Sequence, residues 1–276
     1  MVVQLTDLHL GTSAATDRRT RSLIESVLES EAPDLVVLTG DILEGKRARD
    51  PRATLRFGLG PIFERRLPWA PVLGNHDDEG RVGRRRLFDL MRELPGCLGR
   101  PGPQRLSGIG NYVLRVRGSA RRPAFIFYMF DSHAYAPEGF GTYAWVQADQ
   151  IAWFRRLPGG RRVPALAFLH IPLPEWEQAW NDGWGKRGHR HEAACSPVVN
   201  SGLFAALLEH GDVVGAFCGH DHRNDYEATL HGIRLAYGRA SGYGGYGLPR
   251  FSKGARVIEL REGVRGFETR VVSPPA

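Results

Sequence analysis

Val2-Val3-Gln4-Leu5-Thr6-Asp7-Leu8-His9 opens the chain with a short apolar run that ends on a carboxylate and an imidazole two residues apart. The same grammar returns four times. Leu35 to Leu38 leads to Gly40-Asp41, and Val72-Leu73 to Gly74-Asn75-His76-Asp77; Ala165 to Leu169 leads to His170, and Val213 to Cys218 to Gly219-His220-Asp221-His222. Each run reads as a buried strand, so each polar cluster sits at a strand's carboxyl end. Successive strand ends gather on one rim of a sheet, which is where open α/β sheets bind ligands.

The segments between these runs supply helices. Leu23, Ile24, Val27 and Leu28 have helical spacing and predict a helix from about Thr20 to Glu31, ended by Pro33. Further helices are expected over Arg84–Leu94, Gln147–Leu157 and Leu203–Glu209, and strands over Tyr112–Val116, Phe125–Phe130 and Ile233–Tyr237. Ala255 to Leu260 is expected to close the second half of the fold. Pro172 to Pro197 has no sustained periodicity and begins two residues after His170, so it reads as a long loop over the site.

With 276 residues, 42% of them hydrophobic, and no low-complexity linker, the chain is expected to form a single domain over 1–276. No run of about 18 apolar residues offers a membrane span, and no signal peptide is visible. Cys97, Cys195 and Cys218 are odd in number without CxxC spacing, which suits reduced thiols and a cytoplasmic location; none is assigned to a metal. The formal charge of +7 comes from basic pairs and triplets scattered along the chain, such as Arg84-Arg85-Arg86 and Arg161-Arg162. That pattern favours an anionic substrate over a dedicated nucleic-acid surface.

Asp, Asn and His together form an oxygen and nitrogen donor set for two adjacent metal ions, of the kind that splits phosphate esters. Asp7 and His9, two apart in an extended segment, share a face. Asn75 offers a neutral carbonyl oxygen where one more carboxylate would over-neutralise the cations.

The set D-x-H, GD, GNHD, H and GHDH resembles the calcineurin-like metallophosphoesterase superfamily from Asp7 to His222. His170 to Glu175, the stretch WVQADQIAWF from Trp145 to Phe154, Asn200-Ser201-Gly202 and the Tyr/Gly-rich GYGGYG look like non-purple members of its purple-acid-phosphatase-like branch. The resemblance implies an α/β four-layer sandwich of two mixed sheets flanked by helices. It implies one metal among Asp7, His9, Asp41 and His222, and a second among Asn75, His170, His220 and the shared Asp41. The ions would be divalent or trivalent Mn, Fe, Zn, Co or Ni, and together they would activate a hydroxide for attack on a phosphate mono- or diester. Asp41 and His76 are the implied catalytic residues, His76 contacting the phosphate and protonating the leaving group. Asp77 and Asp221 are expected to orient ligand histidines. True purple acid phosphatases carry an iron-binding tyrosine three residues after the bridging Asp; Glu44 stands there instead, so the charge-transfer colour should be missing.

His189, Arg190 and His191 in the long loop are candidates for recognising the phosphate or leaving group, and Tyr243 and Tyr246 are read either as ordinary rim packing or as stacking on a substrate ring. His133 is read either as loop packing or as a substrate contact, and His210 and His231 as surface residues. The expected partner is a small anionic phosphate ester. A nuclease is the rival enzymatic reading, and it would require a basic groove beside the metals. A non-catalytic module on the same fold would be expected to lose ligands, and here every position is filled.

Overall fold

The computed structural model describes residues 1–160 and 162–274; Arg161, from one of the basic pairs above, lies outside them. The first half alternates strand and helix: β1 (Val2–Leu5), α1 (Ala14–Glu31), β2 (Leu35–Thr39), α2 (Pro51–Gly58), α3 (Gly60–Glu64), β3 (Trp69–Val72) and α4 (Arg84–Arg92). There follow β4 (Tyr112–Arg117), β5 (Pro123–Met129), α5 (Ala148–Arg155), β6 (Ala165–Phe168), α6 (Glu175–Asp182), β7 (Trp184–Arg187) and α7 (Leu203–His210). The remainder is all strand: β8 (Val213–Cys218), β9 (Glu227–Leu230), β10 (Ile233–Tyr237), β11 (Ala255–Leu260) and β12 (Phe267–Val272).

The strands form two mixed sheets, ordered β12-β11-β1-β2-β3 and β4-β5-β6-β8-β10-β9-β7. In the first, β1-β2-β3 run parallel out to the β3 edge and β11 and β12 are added antiparallel beyond β1; in the second, the parallel β5-β6-β8-β10 are flanked by antiparallel strands on both sides. Alternation along the strands sorts side chains between two cores. Phe127, Phe168 and Phe217 join Val2, Val37 and Ile258, which share the face of Gln4, in the core between the sheets. Their neighbours Tyr128, Ala167 and Ala216 instead pack with Phe154, Trp176 and Leu207 of α5, α6 and α7. Ile24 and Val27 of α1 and Ile62 of α3 pack with the smaller sheet. The result is four layers: helix, sheet, sheet, helix. At the functional rim the buried Gln4 amide ties the sheets together, its Nε2 donating to Thr39 Oγ1 and to the Cys218 carbonyl at 2.9 Å each.

Four expectations are corrected. The first helix begins at Ala14 rather than Thr20, because Ser13 and Thr16 form a capping box: Thr16 N–H donates to Ser13 Oγ and Ser13 N–H to Thr16 Oγ1. Ala255–Leu260 does not close the second half; as β11 it pairs antiparallel with β1 in the first sheet. The expected loop 172–197 holds α6 and the edge strand β7, with Trp176 and Ala179 of α6 buried against β9 and β10. His210 is not a surface side chain: it bonds Asp212 Oδ1 at 2.7 Å and stacks on Phe154. No helix among the described residues is long and apolar enough to cross a membrane.

Candidate metal centre

The turns that follow β1, β2, β3, β6 and β8 converge on one rim and carry all seven proposed ligands. Asp7, His9, Asp41 and His220 all have positive φ, a region that non-glycine residues enter at a cost of order 1 kcal/mol. Backbone bonds hold these turns: Asp7 N–H donates to the Gly40 carbonyl at 3.0 Å, and His9 N–H to the Asp41 carbonyl at 2.9 Å. Two glycines are required here. A side chain on Gly40, at φ +90°, would meet the His170 ring, and one on Gly74 would lie 2.1 Å from Asp41 Oδ1.

Asp7, His9 and His222 bring ligand atoms within 4.8 Å of one another, as do Asp41, His170 and His220. Asp41 Oδ2 stands between the two groups, 3.6 Å from His9 Nε2 and 3.3 Å from His170 Nε2. His222 Nε2 lies 3.2 Å from both Asp7 Oδ1 and His9 Nε2. Asn75 Nδ2 donates to Tyr135 Oη at 3.3 Å, which turns its Oδ1 inward to 3.2 Å from His170 Nε2.

The outward nitrogens explain why the inward ones are free to bind a cation. His170 Nδ1 faces the Thr39 carbonyl at 2.8 Å, and His222 Nδ1 the Tyr246 carbonyl at 2.9 Å. His9 Nδ1 faces Glu44 Oε2 at 3.0 Å. Each acceptor fixes the Nδ1–H tautomer and points an Nε2 lone pair at its neighbours' lone pairs. Two clusters of converging oxygen and imidazole donors, joined by one carboxylate, fit a pair of transition-metal ions.

Charge in the metal-free centre is carried by protons. Burial raises the Asp41 and Asp7 carboxyls, but His170 and His222 respectively outweigh it and hold both below the usual carboxylate range. Burial depresses His170, yet Asp41 and Asp7 raise it to about 9. His220, buried beside His170, is lowered to about 3 and so presents a neutral ring.

His76 lines the pocket beside both clusters, and its N–H donates to Asp41 Oδ1 at 2.8 Å. Its Nδ1 meets Glu79 Oε2 at 2.8 Å, and Glu79 Oε1 in turn accepts from Tyr135 Oη and from Lys46 Nζ, the latter at 3.0 Å. Glu79, Tyr135 and Glu44 were not selected from the sequence as site residues. Glu79 sits three residues beyond His76, so in retrospect the spacing was a usable signal. Arg84 gave none: it donates to the Gly74 carbonyl at 2.8 Å and the Leu73 carbonyl at 3.2 Å, and pairs with Asp131, thereby holding the Asn75 turn from behind.

Asp77 and Asp221 touch no ligand histidine, contrary to expectation. Asp77 accepts from the Leu43 and Gly74 N–H groups at 2.8 and 2.7 Å, joining the Asp41 turn to the Asn75 turn. Asp221 Oδ2 accepts from Tyr237 Oη at 2.7 Å and the Cys195 N–H at 3.1 Å, and its Oδ1 is buried without a partner. Desolvation by burial lifts both carboxyls to about 6.

The pocket holds about 250 Å3, with Tyr143 and Tyr246 among its lining residues. Tyr246 stacks on His222 at 4.1 Å, and Tyr143 meets His220 edge-on at 4.4 Å. Tyr243 is placed elsewhere, under the Arg19 guanidinium. His189, Arg190 and His191 do not line the pocket either, because their own partners hold them: His189 bonds Asp225, Arg190 pairs with Glu177, and both histidine rings pack on Phe251. His133 bonds Gln150 at 2.7 Å, a packing role.

Residues 1–224 match the family described as calcineurin-like phosphoesterase. The chain is 33% identical over 300 residues to probable inactive purple acid phosphatase 14 of Arabidopsis thaliana, covering 94% of this chain and 75% of that protein. It is 33% identical over 273 residues to phosphatase DCR2 of Saccharomyces cerevisiae, covering 86% of this chain and 47% of that one. Among solved structures, a dimetal phosphatase from Danio rerio superposes with a TM-score of 0.65 at 14% identity, covering 99% and 98% of the two chains. At that identity the likeness is one of fold.

Proposed function

The chain belongs to the calcineurin-like phosphoesterase family, and from that premise we propose that it hydrolyses phosphate mono- or diesters of a small molecule at a two-metal centre. The observation that carries this reading is Asp41 Oδ2, placed between a cluster completed by Asp7, His9 and His222 and another completed by His170, His220 and Asn75. A protein that had abandoned hydrolysis would have no need to keep all seven donors converged and their outward nitrogens fixed. Bound there, two ions supply Lewis acidity toward the phosphoryl oxygens and lower the pKa of a water. The rest falls to the chain. His76, held through Nδ1 by Glu79, delivers a proton to the leaving oxygen. Tyr143 and Tyr246 border the phosphoryl group's pocket.

The test is a screen of phosphate mono- and diesters against protein whose metal content is measured. Turnover that requires bound metal and is lost in Asp41→Ala supports the reading. A fully metal-loaded wild type that hydrolyses none of them overturns it and leaves a non-catalytic role.

A further inference from the structure

A second cleft, of about 800 Å3, has a wall that includes Gly45 and Asp77, the residues directly following Glu44 and His76 of the metal pocket. The wall consists of the two turns that carry Asp41 and Asn75. Gly45 N–H donates to the His76 carbonyl at 3.0 Å, and a Cβ on Gly80 would lie 2.2 Å from the Gly45 carbonyl oxygen, so the turns are clamped together. Lys46, Arg49 and Arg81 all line this cleft. Lys46 Nζ reaches Glu79 Oε1 at 3.0 Å while Glu79 Oε2 holds His76 Nδ1 at 2.8 Å, so its ammonium is two hydrogen bonds from the imidazole beside the metals.

Some of the molecule's arginines pair with acids on neighbouring elements, as Arg52 does with Glu93 and Arg270 with Glu31. Arg49 and Arg81 are exposed and have no acid partner among the described residues. The two carboxylates in the same wall are already engaged: both oxygens of Asp77 accept backbone N–H groups, and Glu79 accepts from Lys46, His76 and Tyr135. The metal pocket itself is lined by no Lys or Arg. A substrate whose phosphoryl head fills that pocket must place its remaining atoms outside it. On one side it would meet three cations held by the ligand-bearing turns themselves.

We propose that the cleft lined by Lys46, Arg49 and Arg81 binds a second phosphate group of the substrate, so that the preferred substrates are small esters carrying two phosphates. Guanidinium groups suit this task, since each offers a planar pair of donors to phosphate oxygens. The proposal rests on the hydrolytic reading above and specifies its substrate class.

The experiment compares 1-butyl phosphate with butane-1,4-diol bisphosphate on metal-loaded wild type and on Arg49→Ala/Arg81→Ala, measuring binding by calorimetry and turnover by phosphate release. The wild type is expected to bind the bisphosphate about tenfold more tightly than the monoester, with a matching gain in kcat/KM that shrinks as salt is raised. The double variant should lose most of that preference while keeping monoester turnover within about twofold, which also reports that it is folded. An absent preference in the wild type, or one undiminished in the variant, overturns the proposal. If neither ester turns over, the hydrolytic reading fails, and the calorimetric comparison still decides whether the cleft takes a second phosphate. Two results would reassign the cleft and likewise overturn the proposal. One is an effect of free inorganic phosphate on monoester turnover that depends on Arg49 and Arg81 while the bisphosphate preference does not. The other is an oligonucleotide that binds as tightly as the bisphosphate and weakens equally in the variant.

Discussion

His76 and Glu79 show what a single hydrogen bond contributes at the residue scale. The carboxylate fixes the imidazole's Nδ1, and under the proposed mechanism Nε2 is the atom that delivers the proton. His76→Ala should retain both metals and lose about 10²–10⁴-fold in kcat, with the loss largest on alkyl esters, whose basic leaving oxygens depend most on an acid. Glu79→Gln should fall between that variant and wild type, retaining metals but losing roughly tenfold on alkyl esters and less on nitrophenyl esters. Equal losses on both ester types would remove the acid role and leave His76 as a phosphate contact. Phosphate release measured beside metal content separates these outcomes. The ligands were legible because seven chemically distinctive residues follow five strand-like runs. Their supports were not: the Thr39 and Tyr246 carbonyls belong to backbone that any residue could supply, and only the folded chain shows where they point.

At the scale of elements, strands with an apolar face announced themselves and strands without one did not. Trp184–Arg187 is fully exposed along its length and carries no alternation, so β7 was hidden within an apparent loop. Helix α6 buries Trp176 and Ala179, too short a stripe to register as a period. The pairing of β11 with β1 joins residues more than 250 positions apart, and nothing local encodes that choice. Arg84 at the start of α4 is the strongest tie between an element and the site. Its guanidinium is largely buried, pairs with Asp131, and caps the carbonyls of Leu73 and Gly74 just before Asn75. Arg84→Ala leaves a buried carboxylate and two carbonyls without their donor, and should cost about 3–5 kcal/mol in denaturant unfolding. Its affinity for the ion beside Asn75 should fall as well. Unchanged stability would mean that water replaces the guanidinium freely and that the turn holds itself.

For the molecule as a whole, the centre couples stability to pH and to metal. In metal-free protein His170 is raised from 6.5 to about 9 by Asp41 and Asp7 despite its burial. A raised imidazole contributes stability that is complete below about 6.5 and fades as pH climbs through about 9. The carboxyls of Asp7 and Asp41 are lowered, so their contribution is present above the ordinary carboxylate range and fades in acid. Metal-free protein should therefore lose on the order of 1–3 kcal/mol between neutral and strongly alkaline pH. Metal-loaded protein should lose much less, since its Nε2 atoms carry cations in place of protons. Parallel melting curves with and without metal check this, and coincident pH dependences would contradict it. The central claim is that hydrolysis needs two ions sharing Asp41, and it is tested most directly by measuring turnover of a phosphate ester as metal is added to metal-free protein in known equivalents per chain. Turnover is expected to stay near zero through the first equivalent, rise across the second and then level off. Full activity at one equivalent, or none at two, would contradict the account.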